Sequence, residues 1–199
     1  GVEGGTGTWA DAMLDELPGT TLAMAPGVST AEHPDGPSFG ERVSGAVQQA
    51  LGEALELGLD SEGRQLAERV YLAQEARFQN TGTLTMVSED HVDQDPYFLY
   101  ASVYADGTPW AVVTESGGSF PELRTISLKA AFGWNAIYDT EYTDTLLEQL
   151  SDIGDAAKGW PAGLYETDLS VNEVYTLNTN AIVLEALHYK AHGPLWQIK

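Results

Sequence analysis

Val43, Val47, Leu51 and Leu55 recur at every fourth residue, with Ala46, Ala50 and Ala54 beside them. A stripe of that period is the buried face of a helix, and its small residues permit a close neighbour. Gly58 stops this helix, and Asp60 or Ser61 opens another, along which Leu66, Val70, Ala73 and Arg77 share one side. The two read as a helical hairpin. Any fold for this chain must therefore bury at least one pair of packed helices.

Residues 1–40 differ in kind. They are rich in Gly, Pro, Ser and Thr, with one short helical candidate, TWADAMLDEL, capped by Thr8 and faced by Trp9, Met13, Leu14 and Leu17. The chain thus divides into an irregular N-terminal segment, 1–40, and a helical-hairpin domain, 41–199. Within the second part the period changes once. YFLYASVY and PWAVVT read as two strands joined at Asp106-Gly107, a β-hairpin inserted near residues 97–114, with Pro109 confining the second strand to an edge. Helical periodicity returns in SLKAAFGWNAIY, with Ser127 as its cap, in TDTLLEQLSDI, and in TLNTNAIVLEALHYKAHG, which Gly193-Pro194 closes. Between the last two helices lies a long loop with Trp160, Tyr165 and Glu166.

Charge limits the partners. The 199 residues hold 9 Lys and Arg against 30 Asp and Glu, a net charge of −21. Such a surface repels nucleic acid and anionic lipid, and it suits a salty or extracellular setting. No segment approaches the ~20 apolar residues that span a bilayer, so no membrane insertion is expected. There are no cysteines, which removes disulfides, thiolate metal sites and cysteine nucleophiles. The first residue is Gly1 and not Met, and no basic leader precedes an apolar run, so a processed, secreted or periplasmic chain is expected. Walker, dinucleotide, HExxH and GxSxG patterns are missing, and with them the usual signals of phosphate, nicotinamide, zinc-protease and α/β-hydrolase chemistry.

The densest chemistry lies in SEDHVDQDPY, where Glu89, Asp90, Asp93 and Asp95 surround His91. Glycoside hydrolysis uses two carboxylates about 5–9.5 Å apart, one to protonate the leaving oxygen and one to activate water or attack the sugar. Glu89 with Asp93 or Asp95 meets the need for residue types, and crowded carboxylates raise one another's pKa. Ca²⁺ at Asp90, Asp93 and Asp95 is a second reading, although the order of an EF-hand loop is missing. A solvated turn before the hairpin is a third.

Three strings sharpen the choice: AQEARFQNTGTLTMVSEDHVDQDPYFLY, WAVVTESGGSFPELRTISLKAAFGW and LYETDLSVNEVYTLNTNAIVLEAL. Over roughly residues 53–199 they resemble the C-terminal half of a family of exported bacterial domains of unknown function, related to glucoamylase-like glycan-active proteins. The resemblance implies a mainly α fold, the helical hairpins of a partial α/α toroid. It also implies action on an extracellular or periplasmic polysaccharide or oligosaccharide. A full toroid needs roughly twelve helices, about twice what this chain offers, so a second chain or a homo-oligomer is expected to complete it, or a groove to replace the closed pocket. SEDHVD is among the most distinctive strings of the resemblance, which makes Glu89 and Asp93 the expected catalytic pair.

Substrate-binding candidates are Asp90, His91, Asp95, Tyr97, Trp110, Trp160, Tyr165, Glu166, Asn178 and Asn180. Each has a plainer reading. His91 can orient a neighbour, the aromatics can fill the core, and Asn178, Thr179 and Asn180 can cap the last helix. Arg77 is expected to pair with a carboxylate of the SEDHVD stretch, and Glu185, among apolar residues, either faces a cavity or partners Arg124 or Lys129. Two functions follow: a glycoside hydrolase or transglycosidase without a cofactor, or a non-catalytic extracellular module that binds carbohydrate or self-assembles.

Overall fold

A computed structural model describes residues 51–196 except 53, 59, 60, 106 and 107. TWADAMLDEL, the rest of residues 1–50 and the Asp106-Gly107 turn lie outside the described residues. The architecture is mainly helical with small antiparallel sheets. Helical residues 51, 52 and 54–56 precede α1 (Ser61–Thr81), and α2 (Leu128–Tyr138), α3 (Glu141–Leu150) and α4 (Leu177–His192) follow later in the chain.

The helices sit where periodicity places them. Thr140 caps α3 through a reciprocal capping box with Thr143. Leu146 and Leu150 are then buried, with Leu147 and Ile153 packed beside them. α4 is capped by Thr176, whose side chain accepts from Thr179 N, and not by Asn178 or Asn180, which fall in its first turn. Ser127 stands at the N-cap position of α2 as expected, but its side chain caps nothing. Leu51, Leu55, Tyr71, Trp134, Leu146, Leu150, Ile182 and Val183 meet in one core where the helices converge. Gly133 in α2 is needed there, because a Cβ would come within 2.7 Å of the Leu51 side chain.

The strands depart further from expectation. β2 (Phe98–Ala101) and β5 (Val112–Val113) form the hairpin foreseen near 97–114, and β1 (Glu89–His91) adds a third strand in the order β1-β2-β5. The tip is a separate ribbon, β3 (Tyr104–Ala105) with β4 (Thr108–Pro109). Trp110, at φ 55°, bends the chain between the two parts. Part of the acidic string is thus strand and not loop. Three polar residues reading as a turn gave no alternation long enough to detect.

A second sheet, in the order β6-β7-β8, was not expected at all. β6 (Thr125–Ser127), β7 (Gly163–Tyr165) and β8 (Val171–Asn172) are two or three residues each, and β7 lies in the long loop between α3 and α4. Met86 O accepts from Ser127 N at 2.7 Å, and Gln74 accepts from Val87 N at 2.7 Å, so the segment entering β1 is fastened to both β6 and α1. Truncating Leu146 to Ala at the centre of the helical core is expected to cost about 2–5 kcal/mol, read as a lowered midpoint in urea unfolding.

Candidate functional site

The acidic string is split between two faces of one sheet. Side chains opposite each other across antiparallel strands share a face, and the register pairs Glu89 with Tyr100, Tyr100 with Val113, and His91 with Phe98. Glu89, His91, Phe98 and Tyr100 therefore stand together on the outer face. There His91 meets Phe98 edge-on at 4.8 Å, and Phe98 meets Tyr100 likewise at 5.1 Å. Beside them opens a groove of about 440 Å³ lined by Pro96, Phe98, Tyr100, Thr114, Glu115 and Ser116. Glu115, on the turn after β5, adds an acid that sequence reasoning passed over. Its signal was the TESGGS turn directly after an apolar strand.

Asp90 points the other way. It is buried, with one carboxylate oxygen 3.7 Å from Lys129 Nζ and the other, Oδ2, without a hydrogen-bond partner. Burial raises its pKa to about 6, against the opposing pull of Lys129 and Ser127, and the neighbouring Glu89 adds to the rise. Lys129 is itself buried and donates to Asn178 Oδ1 at 2.8 Å. Ser127 and Asn172 pair with Gly163 from either side in the β6-β7-β8 sheet, so they share a face with no side chain between them. Asn172 Oδ1 is buried and unpartnered, while Asn172 Nδ2 donates to His91 O and Thr125 Oγ1. Asp90, Ser127 with Lys129, and Asn172 with Asn178 come from three separate strings of the sequence. The alternation in TISLK, polar at every second residue inside a buried stretch, was the available sign.

The remaining acids have assigned contacts. Asp93 accepts from Tyr165 OH at 2.6 Å and from Glu173 N at 3.2 Å, which ties it to β7 and to the residue after β8. Asp95 is exposed and precedes a cis peptide bond to Pro96, and Tyr97 is exposed at φ 69°. Glu166 accepts two hydrogen bonds from Arg77, at 2.5 and 2.9 Å, and one from Arg124 at 2.5 Å. Burial alone would raise its pKa, but the two guanidinium groups outweigh burial and hold it below the usual range. Arg77 is thus paired with Glu166 and not with the SEDHVD stretch, and it also lies over the buried Trp110 ring at 5.0 Å. Glu185 pairs with neither Arg124 nor Lys129, because both are committed elsewhere. Burial and Glu56 raise its pKa. Trp160 is half-buried against Phe132, and Asn180 exchanges hydrogen bonds with its backbone N and O.

Among the described residues no group of three or more His, Asp or Glu side chains is placed to hold a metal ion. No described helix is long and apolar enough to cross a membrane.

A profile of the family described as a protein of unknown function, DUF3131, matches residues 44–193. The chain belongs to this family. No curated protein matches it, and no solved structure does. The match takes in the whole of both sheets and all four helices, so the outer groove and the Asp90 cluster both lie inside the shared region.

Two outcomes follow. Glu166→Ala leaves two cations facing each other at a partly buried point and is expected to cost about 3–5 kcal/mol, measured by chemical denaturation. Asp90 holds its proton more tightly folded than unfolded, so it adds stability at low pH and loses it as pH rises from roughly 4 through about 6. The stability of Asp90→Asn relative to the parent should therefore climb by about 3 kcal/mol over that interval; a constant difference would remove Asp90 as the source.

Proposed function

We propose that this chain is part of an exported glycan-active protein, a glycoside hydrolase or transglycosidase acting on a bacterial or environmental polysaccharide. The observation that carries the reading is the open groove beside Phe98 and Tyr100, with Glu115 in its lining and Glu89 on the same sheet face. Flat aromatic surface next to carboxylates suits a sugar, whose ring offers an apolar face and whose glycosidic oxygen needs a proton donor. Of the expected pair, Glu89 stays in this reading. Asp93 is engaged by Tyr165 and Glu173, so Glu115 becomes the second carboxylate.

The packed helices α2, α3 and α4 are read as one arc of an α/α toroid, completed by another chain or left open as a groove. Export is in keeping with the net charge of −21. A non-catalytic carbohydrate-binding module is the second reading, favoured by the open groove and by Asp93 serving as a tie.

Glu89→Gln should abolish release of reducing ends from a cleaved polysaccharide while leaving the unfolding midpoint unchanged. Phe98→Ala should weaken oligosaccharide affinity about tenfold or more, about 1.4 kcal/mol, in calorimetry. Loss of binding in Phe98→Ala without any cleavage by the parent protein selects the binding module. No affinity for any glycan in the parent ends both readings.

A further inference from the structure

Among the described residues four that are not glycine hold a left-handed backbone: Tyr97, Trp110, Asp139 and Leu169, at φ 69°, 55°, 49° and 60°. An L side chain crowds its own backbone there, so such positions normally go to Gly or Asn. Two of the four have a reason inside the fold. Trp110 is buried with Arg77 over its ring, and Asp139 ends α2 and holds Lys190. Tyr97 differs. Its backbone closes the loop between β1 and β2, with Tyr97 N donating to Gln94 O at 2.8 Å and Val92 N donating to Tyr97 O at 3.2 Å. The loop needs that backbone and not that side chain, which stands 62% exposed. A large ring kept in solvent on a strained backbone breaks local preference in the way that working surfaces do.

Its place in the chain supplies the reason. Tyr97 stands between Pro96 and Phe98, which both line the outer groove, so it sits at the rim. We infer that Tyr97 is an aromatic platform extending the groove, and that the ligand crossing it is an uncharged or amino-bearing pyranose chain and not an anionic one. The inference rests on the glycan reading of the groove given above. A pyranose ring presents a face of C–H groups that packs flat on an aromatic side chain, and an exposed ring is open to that contact.

Charge sets the class. Glu115 is in the lining, Glu89 is on the same sheet face, and the exposed Asp95 precedes Pro96. No described Lys or Arg lines the groove, and Arg77, Arg124, Lys129 and Lys190 are paired with Glu166, Asp90 and Asp139. A uronate or sulfate group would meet like charge there with no base to answer it. An ammonium group would find carboxylates and aromatic faces together.

Calorimetry with cellohexaose, chitohexaose, de-N-acetylated chitohexaose and hexagalacturonate tests both parts. The parent should bind at least one of the first three and not the last. Tyr97→Gly should weaken that binding about tenfold or more, while the midpoint of urea unfolding holds or rises, because glycine relieves the backbone. Tyr97→Phe and Tyr97→Trp, which keep a ring, should keep the affinity. Leu169→Gly is the control: it relieves a left-handed, half-exposed position outside the groove lining and should leave affinity unchanged. Undiminished binding by Tyr97→Gly overturns the platform, as does a lowered midpoint, which makes Tyr97 a residue of the fold, or a loss in Tyr97→Phe equal to that in Tyr97→Gly. Binding of hexagalacturonate overturns the ligand class and leaves the glycan reading standing. A parent that binds none of the four ends that reading and this inference with it.

Discussion

Four parts of the molecule depend on one carboxylate. Glu166, at the end of β7, holds Arg77 from α1 and Arg124 from the chain entering β6. Arg124 in turn bonds Trp110 O, where the hairpin bends, and Arg77 lies over the Trp110 ring. Glu166 N also donates to Arg124 O at 2.8 Å, so backbone and side chain tie the same two segments. Two cations at a half-buried point would repel without the acid between them, and the acid would be costly to bury without them. Helix, second sheet and hairpin are thereby set at fixed relative positions. The outer groove inherits that rigidity, because its floor is the hairpin.

The Asp90 cluster has a different character. A buried carboxylate with one loose cation and one idle oxygen is poorly compensated, and its raised pKa is the thermodynamic trace of that deficit. An idle oxygen of Asn172 lies on the sheet that borders it. Asp90 and Glu89 show how strand alternation assigns opposite fates to neighbours: one acid faces the solvent and aromatics, the other the helix.

The helices were legible from their 3.6-residue period. Gly193 closes α4 as expected, but the caps were not legible: Thr140 was passed over, and the α4 cap expected at Asn178, Thr179 or Asn180 is Thr176. The sheets were legible only in part. The hairpin holds a strong turn signal, but β6, β7 and β8 are only two or three residues each, too short for a strand pattern to stand out. The groove's aromatics, Phe98 and Tyr100, were read only as strand residues, since Tyr97, Trp110, Trp160 and Tyr165 were the aromatics singled out, and its acids did not sort without β1. Arg77 and Glu166 stand 89 positions apart, a pairing that no local pattern encodes. The match of Arg77 to the wrong acid, and the dispersal of the SEDHVD carboxylates, come from that same non-locality.

The seat of Leu51 on Gly133 carries an evolutionary consequence. Bare backbone there lets one helix sink into another by the width of a methyl group, and the branched side chain fills what the glycine vacates. Bulk at the two positions is therefore a shared quantity. Descendants of this chain can enlarge position 133 only while trimming position 51, so the two should drift as a linked pair, whereas the outer surface of the same helix stays free to vary alone.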